Sequence, residues 1–157
     1  MTENKESNSA IIIPIKGLSD GVYTYNYSCG YHFFNQFGNQ EILDAHTRTT
    51  VILQKDTHLM RLHVTIQGSV VRSCDRCLGD VVIPLSYQAS IIIQFSEQID
   101  NQENDEIITI LPTATQINLS QYVYDSVCVT LPLQSIHPPG LCDPIMEKKL
   151  SQLTINP

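Results

Sequence analysis

The sequence has little charge: Asp, Glu, Lys and Arg make up 16% of its 157 residues, so Ser, Thr, Asn and Gln must cover much of the outer surface. It is short of cations, with nine Lys and Arg against 16 Asp and Glu and a formal charge of -7. That balance excludes a chain whose main task is coating phosphate backbones by counterion release, DNA included, and leaves a protein partner or a small local RNA contact. Apolar runs such as Ile11–Ile13 and Ile91–Ile93 fall far short of the roughly 20 residues that span a bilayer, so no membrane partner is expected. The seven glycines form no phosphate-cradling loop. There is no G-x-S-x-G elbow and no H-E-x-x-H pair, and His32, His46, His58 and His63 are scattered, which sets hydrolytic chemistry aside. Internal repeats and low-complexity tracts are also missing.

The 42% hydrophobic content excludes an extended disordered chain, and the length suits one core rather than two. The first residues, Met1–Ser9, carry Glu3, Lys5 and Glu6 among Thr, Asn and Ser, without the basic and apolar regions of a secretory signal. The expectation is a cytoplasmic protein with a disordered arm over 1–9 and a single domain over 10–157. Five cysteines, at 29, 74, 77, 128 and 142, are an odd number for a disulfide framework, so metal binding, redox chemistry or plain burial must account for them.

The net charge hides an uneven distribution. Residues 1–47 sum to -3, residues 48–79 to +3 and the remainder to -7. The basic stretch holds Arg48, Lys55, Arg61, Arg72 and Arg76, whereas from Asp80 to Glu147 there is no Lys or Arg at all. Cations therefore surround the Cys74 and Cys77 pair, although a few solvated cations on strands would look the same.

Strand patterns dominate the middle of the chain. Met60, Leu62, Val64 and Ile66 alternate with Arg61, His63, Thr65 and Gln67, which puts the aliphatics inside and the cations outside, with Gly68 as a bulge or bend. The same period of two runs from Val81 to Phe95, where Pro84 suits an edge position or a strand start. Ser73 to Asp80 lies between, so the two strands predict an antiparallel hairpin whose tip presents both cysteines. Upstream, Ile11–Ile15 and Val22–Cys29 read as short strands joined around Gly17 and Gly21, then come the aromatics Tyr31, Phe33, Phe34 and Phe37 and a Thr-rich strand over 42–54. Downstream, 97–106 reads as a flexible acidic excursion and Ile107–Leu111 as a brief strand. A helix capped by Asn118 or Ser120 runs to Leu131 and is stopped by Pro132, and 145–153 offers a short terminal helix. The fold class is α+β: one domain dominated by antiparallel sheet, curling toward a barrel, with one or two short helices and a Cys-x-x-Cys hairpin.

Cys74-Asp75-Arg76-Cys77 is the motif that carries chemistry. Two thiolates two residues apart in a tight turn can take adjacent corners of a zinc tetrahedron. A second pair, His137 and Cys142, flanks a stiff Pro138-Pro139-Gly140 turn, which makes a site of three Cys and one His sterically reasonable; the 59 residues between Cys77 and His137 exceed ordinary zinc-finger spacing. Unliganded packing is the alternative. A redox pair is another, with Arg76 lowering a thiol pKa, but no amphipathic helix follows the motif as in thioredoxin-like sites. Cys29 and Cys128 stand in apolar patterns that suit buried, inert thiols.

Taken in order, the opening Ile11-to-Gly17 segment, the Cys74-x-Arg76-Cys77-Leu78 knuckle, the long strand after it, the acidic spacer, Ile117-Asn118-Leu119, Leu131-Pro132 and the His137–Cys142 loop resemble the YceD family of large ribosomal RNA subunit accumulation proteins. The resemblance runs over nearly the whole length. It implies a bacterial, cytoplasmic, non-catalytic factor, with plastid relatives, that supports accumulation or processing of large-subunit (23S) ribosomal RNA. Its partners would be ribonucleoprotein or large-subunit assembly intermediates. Paired cysteines of the family correspond to Cys74 and Cys77, and its later ligands to His137 and Cys142. On this reading zinc is the cofactor, and Arg61, His63, Arg72 and Arg76 form the RNA or partner contact. The competing readings are a zinc-stabilised protein-interaction module without RNA contact, and a thiol-dependent redox enzyme using Cys74 and Cys77.

Overall fold

The computed structural model describes residues 9–97, 106–132, 134 and 135. Within them the chain runs β1 (Ile12–Pro14), β2 (Gly21–Gly30), α1 (Tyr31–Asn35), β3 (Asp44–Lys55), β4 (Met60–Ser73), β5 (Asp80–Phe95), β6 (Ile107–Ile110), β7 (Gln116–Asn118) and α2 (Ser120–Thr130). The class is α+β, as the alternation predicts. Five strands form one sheet in the order β2-β3-β4-β5-β6, antiparallel except for the parallel β5–β6 pair. This sheet is open, with β2 and β6 at its edges, so the curl toward a barrel does not reach closure. The readings of 1–8, of most of the acidic excursion and of the 145–153 helix lie outside the described residues.

One face of the sheet is apolar because β2, β3, β4 and β5 alternate. Val51 and Leu53 of β3, Leu62, Val64 and Ile66 of β4, and Val81, Leu85, Ile91 and Ile93 of β5 are all buried. A second layer covers them: Phe33 and Phe34 of α1, Ile11, Ile13, Ile117 and Leu119 around β1 and β7, and Val123 and Val127 of α2. Burying a Leu, Ile or Phe side chain fully stabilises by about 1.5–3 kcal/mol, so this continuous interface dominates the fold.

Three local features take a form that periodicity alone does not give. The chain passes from β1 to β2 through Gly17 and Gly21 as expected, but the two strands do not pair; β1 pairs with β7, more than a hundred residues away, from Ile12↔Asn118 to Pro14↔Gln116. The aromatic cluster forms the single turn α1, held by edge-to-face packing of Phe33 on Phe34 and by Phe37 stacked on Tyr124 at 4.3 Å. Gly68 is not a bulge. The β4–β5 register runs unbroken from Met60↔Ile93 to Ser73↔Asp80, and so does β3–β4 around Thr47↔Gly68. What Gly68 supplies is room: φ is +140°, and a Cβ there would lie 2.0 Å from the His46 carbonyl oxygen.

Of two other details, Pro84 follows the expected chemistry, whereas the cap of α2 is neither Asn118 nor Ser120. Pro84 sits on the part of β5 that β6 does not pair, where a missing N–H breaks no described ladder on that side. At the start of α2 the cap position is Leu119; Asn118 Oδ1 accepts the Ser120 N–H at 3.0 Å. Ser120 Oγ instead accepts the Ile11 N–H at 2.8 Å and ties the helix to β1. The helix ends where Leu131 turns extended ahead of Pro132.

Candidate metal knuckle and the cations around it

β4 and β5, at 14 and 16 residues, are the longest strands, and their turn carries the cysteines to the far end of the sheet. Cys74 and Cys77 are both buried there. The turn closes through Cys74 N–H donating to Gly79 O at 2.7 Å and Leu78 N–H donating to Cys74 O at 2.9 Å. Leu78 adopts φ +63°, a left-handed conformation that is rare for a non-glycine residue, while its side chain is 68% exposed. This sharp reversal lets the Arg76 N–H donate to Cys74 Sγ at 3.4 Å. A backbone N–H aimed at sulfur stabilises the thiolate, the form that ligates metal.

The segment after α2 docks on this knuckle. Asp75 N–H donates to Ser135 O at 2.7 Å, and Ser135 N–H donates back to Asp75 Oδ2 at 2.8 Å. Ser135 is buried, and its Oγ has no hydrogen-bond partner among the described residues. In sequence Ser135 stands two residues before His137. His137 and Cys142 themselves lie outside the described residues, and among the described residues no cluster of three metal-ligating side chains occurs. The donor set present, two buried thiols with an N–H on one sulfur, fits half of a tetrahedral zinc site.

The four cationic residues expected to share one contact face are separated. Alternation along the unbroken β4 puts Arg61 and His63 on the outward face, opposite Leu62 and Val64. Arg72 has the other parity and lies on the core side, with its side chain only 14% exposed. Its Nη1 donates to Pro132 O at 3.1 Å and its Nη2 to Glu41 Oε2 at 3.1 Å, so it holds the exit of α2 against the loop before β3. Strand rise sets Arg61 and Arg72 about 36 Å apart. Arg76 is on the knuckle itself, exposed.

His63 is held from both sides: Nδ1 meets Ser90 Oγ at 2.8 Å and Nε2 meets Gln54 Oε1 at 3.3 Å. The Gln54 carbonyl oxygen only accepts, so Nε2 is the donor of that contact, and the two bonds together fix the plane of the ring. Reasoning from motifs overlooked Arg48 and His46, which share the outward face on β3; the signal was their position on a strand of strict alternation. Burial pushes the Cys29 thiol up to about 12 and also raises Cys128, so both suit the inert role expected of them.

The family model described as "Large ribosomal RNA subunit accumulation protein YceD" matches residues 62–154, from the third residue of β4 through the knuckle and α2. No curated protein and no solved structure matches the chain. The family description names the accumulation of an RNA and no reaction. No helix among the described residues is long and apolar enough to cross a membrane.

Proposed function

This chain belongs to the YceD family, and from that premise we propose that it is a non-catalytic, cytoplasmic assembly factor that promotes accumulation of large-subunit ribosomal RNA. Its knuckle is structural: Cys74 and Cys77 hold zinc together with His137 and Cys142. The observation that carries this reading is the reciprocal Asp75–Ser135 clasp beside two buried thiols. It fastens the chain next to the knuckle two residues ahead of His137, a reach of about 7 Å.

Bound there, zinc would cross-link the hairpin tip to the segment after α2. Three Cys and one His fill the tetrahedron, which leaves no open position for water and so no Lewis-acid chemistry on a substrate. The redox alternative is disfavoured by the same geometry, because the motif closes a strand-to-strand turn and not the N-terminus of a helix.

Sedimentation of the tagged protein from lysate, with metal analysis of the purified chain, tests both halves. Co-migration with large-subunit precursors is expected, with zinc near one equivalent that Cys74→Ser and Cys142→Ser each abolish. Migration only at the top of the gradient would sink the assembly role. Zinc that survives both substitutions would sink the ligand set.

A further inference from the structure

We propose that the outward face of the five-stranded sheet docks the sugar–phosphate backbone of a double-helical RNA, with Arg48 and Arg61 on separate phosphates. The proposal deepens the ribosome-related reading above and rests on it.

The face is defined by the register, whose outward rows run from Val22–Gln54–Arg61–Ile92 at one end to Gly30–His46–Ser69–Pro84 at the other. Strand spacing and rise make it roughly 15 Å by 30 Å. In a protein of charge -7 these rows contain no Asp or Glu, and their formal charges are Arg48 and Arg61. Carboxylates are displaced to its margins: Asp44 contacts His46 at 3.5 Å at one end, and Asp20 and Asp56 share a groove with Arg61 at the other. Charges farther than a screening length of about 8 Å contribute little at physiological salt, so the acids remote from the face do not cancel its sign, and Lys55 stands in the same groove as Asp20 and Asp56 beside Arg61.

Arg48 is exposed and makes no side-chain hydrogen bond or ion pair among the described residues. Beside it lies a hollow of about 460 Å³, rimmed by Arg48, His46 and Gln67, with Gly30 and Gly68 also in its lining. Such a rim offers a phosphate one guanidinium, an imidazole and an amide. Arg61 follows about 20 Å along the sheet, too far to share that phosphate.

Side-chain chemistry selects the nucleic-acid form. The outward positions are mostly hydroxyls and amides, suited to 2′-hydroxyls and phosphate oxygens. Their rows hold no Phe, Tyr or Trp, since Tyr23, Tyr25 and Tyr27 of β2 point to the core side; the rings present are His63, bonded at both nitrogens, and His46 at one end, which give the unstacked bases of a single strand no continuous platform. Val22, Ile52 and Ile92 are dispersed aliphatics and not the clustered aromatic or Arg anchors of a protein interface. Both arginines precede the matched residues 62–154.

The test is fluorescence anisotropy of a labelled mixed-sequence RNA duplex of about 20 base pairs, titrated with the full chain across a salt series. Two phosphate contacts predict a log–log salt slope near -1.8, taking about -0.9 per contact as for duplex DNA. Arg48→Gln and Arg61→Gln should each shift that slope by about 0.9 toward zero and weaken binding roughly eightfold near 0.1 M salt, whereas Arg48→Lys keeps the slope. Gln67→Glu, which sets a carboxylate beside Arg48 without removing any contact of the fold, should weaken binding as well. No binding by the wild type, or slopes unchanged in both glutamine variants, overturns the proposal. Sedimentation separates it from the functional reading. If the wild type follows large-subunit precursors but does not bind the duplex, the face proposal fails and the assembly role stands; if the double variant also leaves the precursors, the face meets a protein.

Discussion

Replacing Gly68 with Ala probes a point where β4 leaves no room for a side chain against the backbone of β3. The new Cβ would sit 2.0 Å from His46 O and 2.8 Å from Thr47 Cα, both backbone atoms held in the ladder. At φ +140° an L-residue also carries strain of about 1–3 kcal/mol. Relieving the overlap requires the strands to part, and losing two flanking ladder bonds costs about 1 kcal/mol each. The expected loss is about 3–5 kcal/mol, a large share of an ordinary domain's stability and equivalent to a Tm drop of about 10–15 °C. Gly38→Ala separates the two causes: φ is +78° there, but nothing lies within 4 Å, so only the conformational part, about 1–2 kcal/mol, should appear. Urea unfolding followed by circular dichroism gives both numbers. A Gly68→Ala loss no greater than that of Gly38→Ala would refute the close approach.

Other substitutions read different parts of the same layer. Thr49 Oγ1 is buried with no hydrogen-bond partner among the described residues, so Thr49→Val should raise stability by about 1 kcal/mol in the same assay, and a loss would reveal a hidden partner. Arg72→Ala should cost about 1–3 kcal/mol because it strips a donor from Pro132 O, whereas Glu41→Gln, which alters an ion pair whose acid is 76% exposed, should cost under about 0.5 kcal/mol; equal effects would contradict the assignment. The Cys29 thiol, normally near 9.0, is raised to about 12. The unfolded chain then sheds its proton first, so the stability Cys29 contributes is intact below about pH 9 and is lost at up to about 1.4 kcal/mol per pH unit up to about pH 12. Cys29→Ala should flatten that alkaline slope, and an unchanged slope would assign it to other groups.

Alternation made most of the sheet readable. The hydrophobic parity of 60–66 and 81–95 set both the strands and their buried face, and the intervening turn placed Cys74 and Cys77 at a hairpin tip. The same parity also separates Arg72 from Arg61, but only if Gly68 leaves the register intact. A bulge would have brought them to one side, and nothing in the residue itself distinguishes a bulge from a close backbone approach. The β1–β7 pair was illegible because three residues carry no period, and their partner is chosen by tertiary packing of Ile13 and Ile117. The turn α1 is too short for a helical stripe to register. At the site, the motif gave the thiols but not the clasp, since Asp75 and Ser135 are ordinary polar residues until the fold sets them side by side.

The central claim, that the chain supports large-subunit ribosomal RNA, is met most directly by the ratio of large- to small-subunit ribosomal RNA in cells lacking its gene, with wild type or Cys74→Ser restored. The account predicts a depressed ratio that the wild type recovers and the knuckle variant does not. A ratio that stays normal without the gene would contradict it.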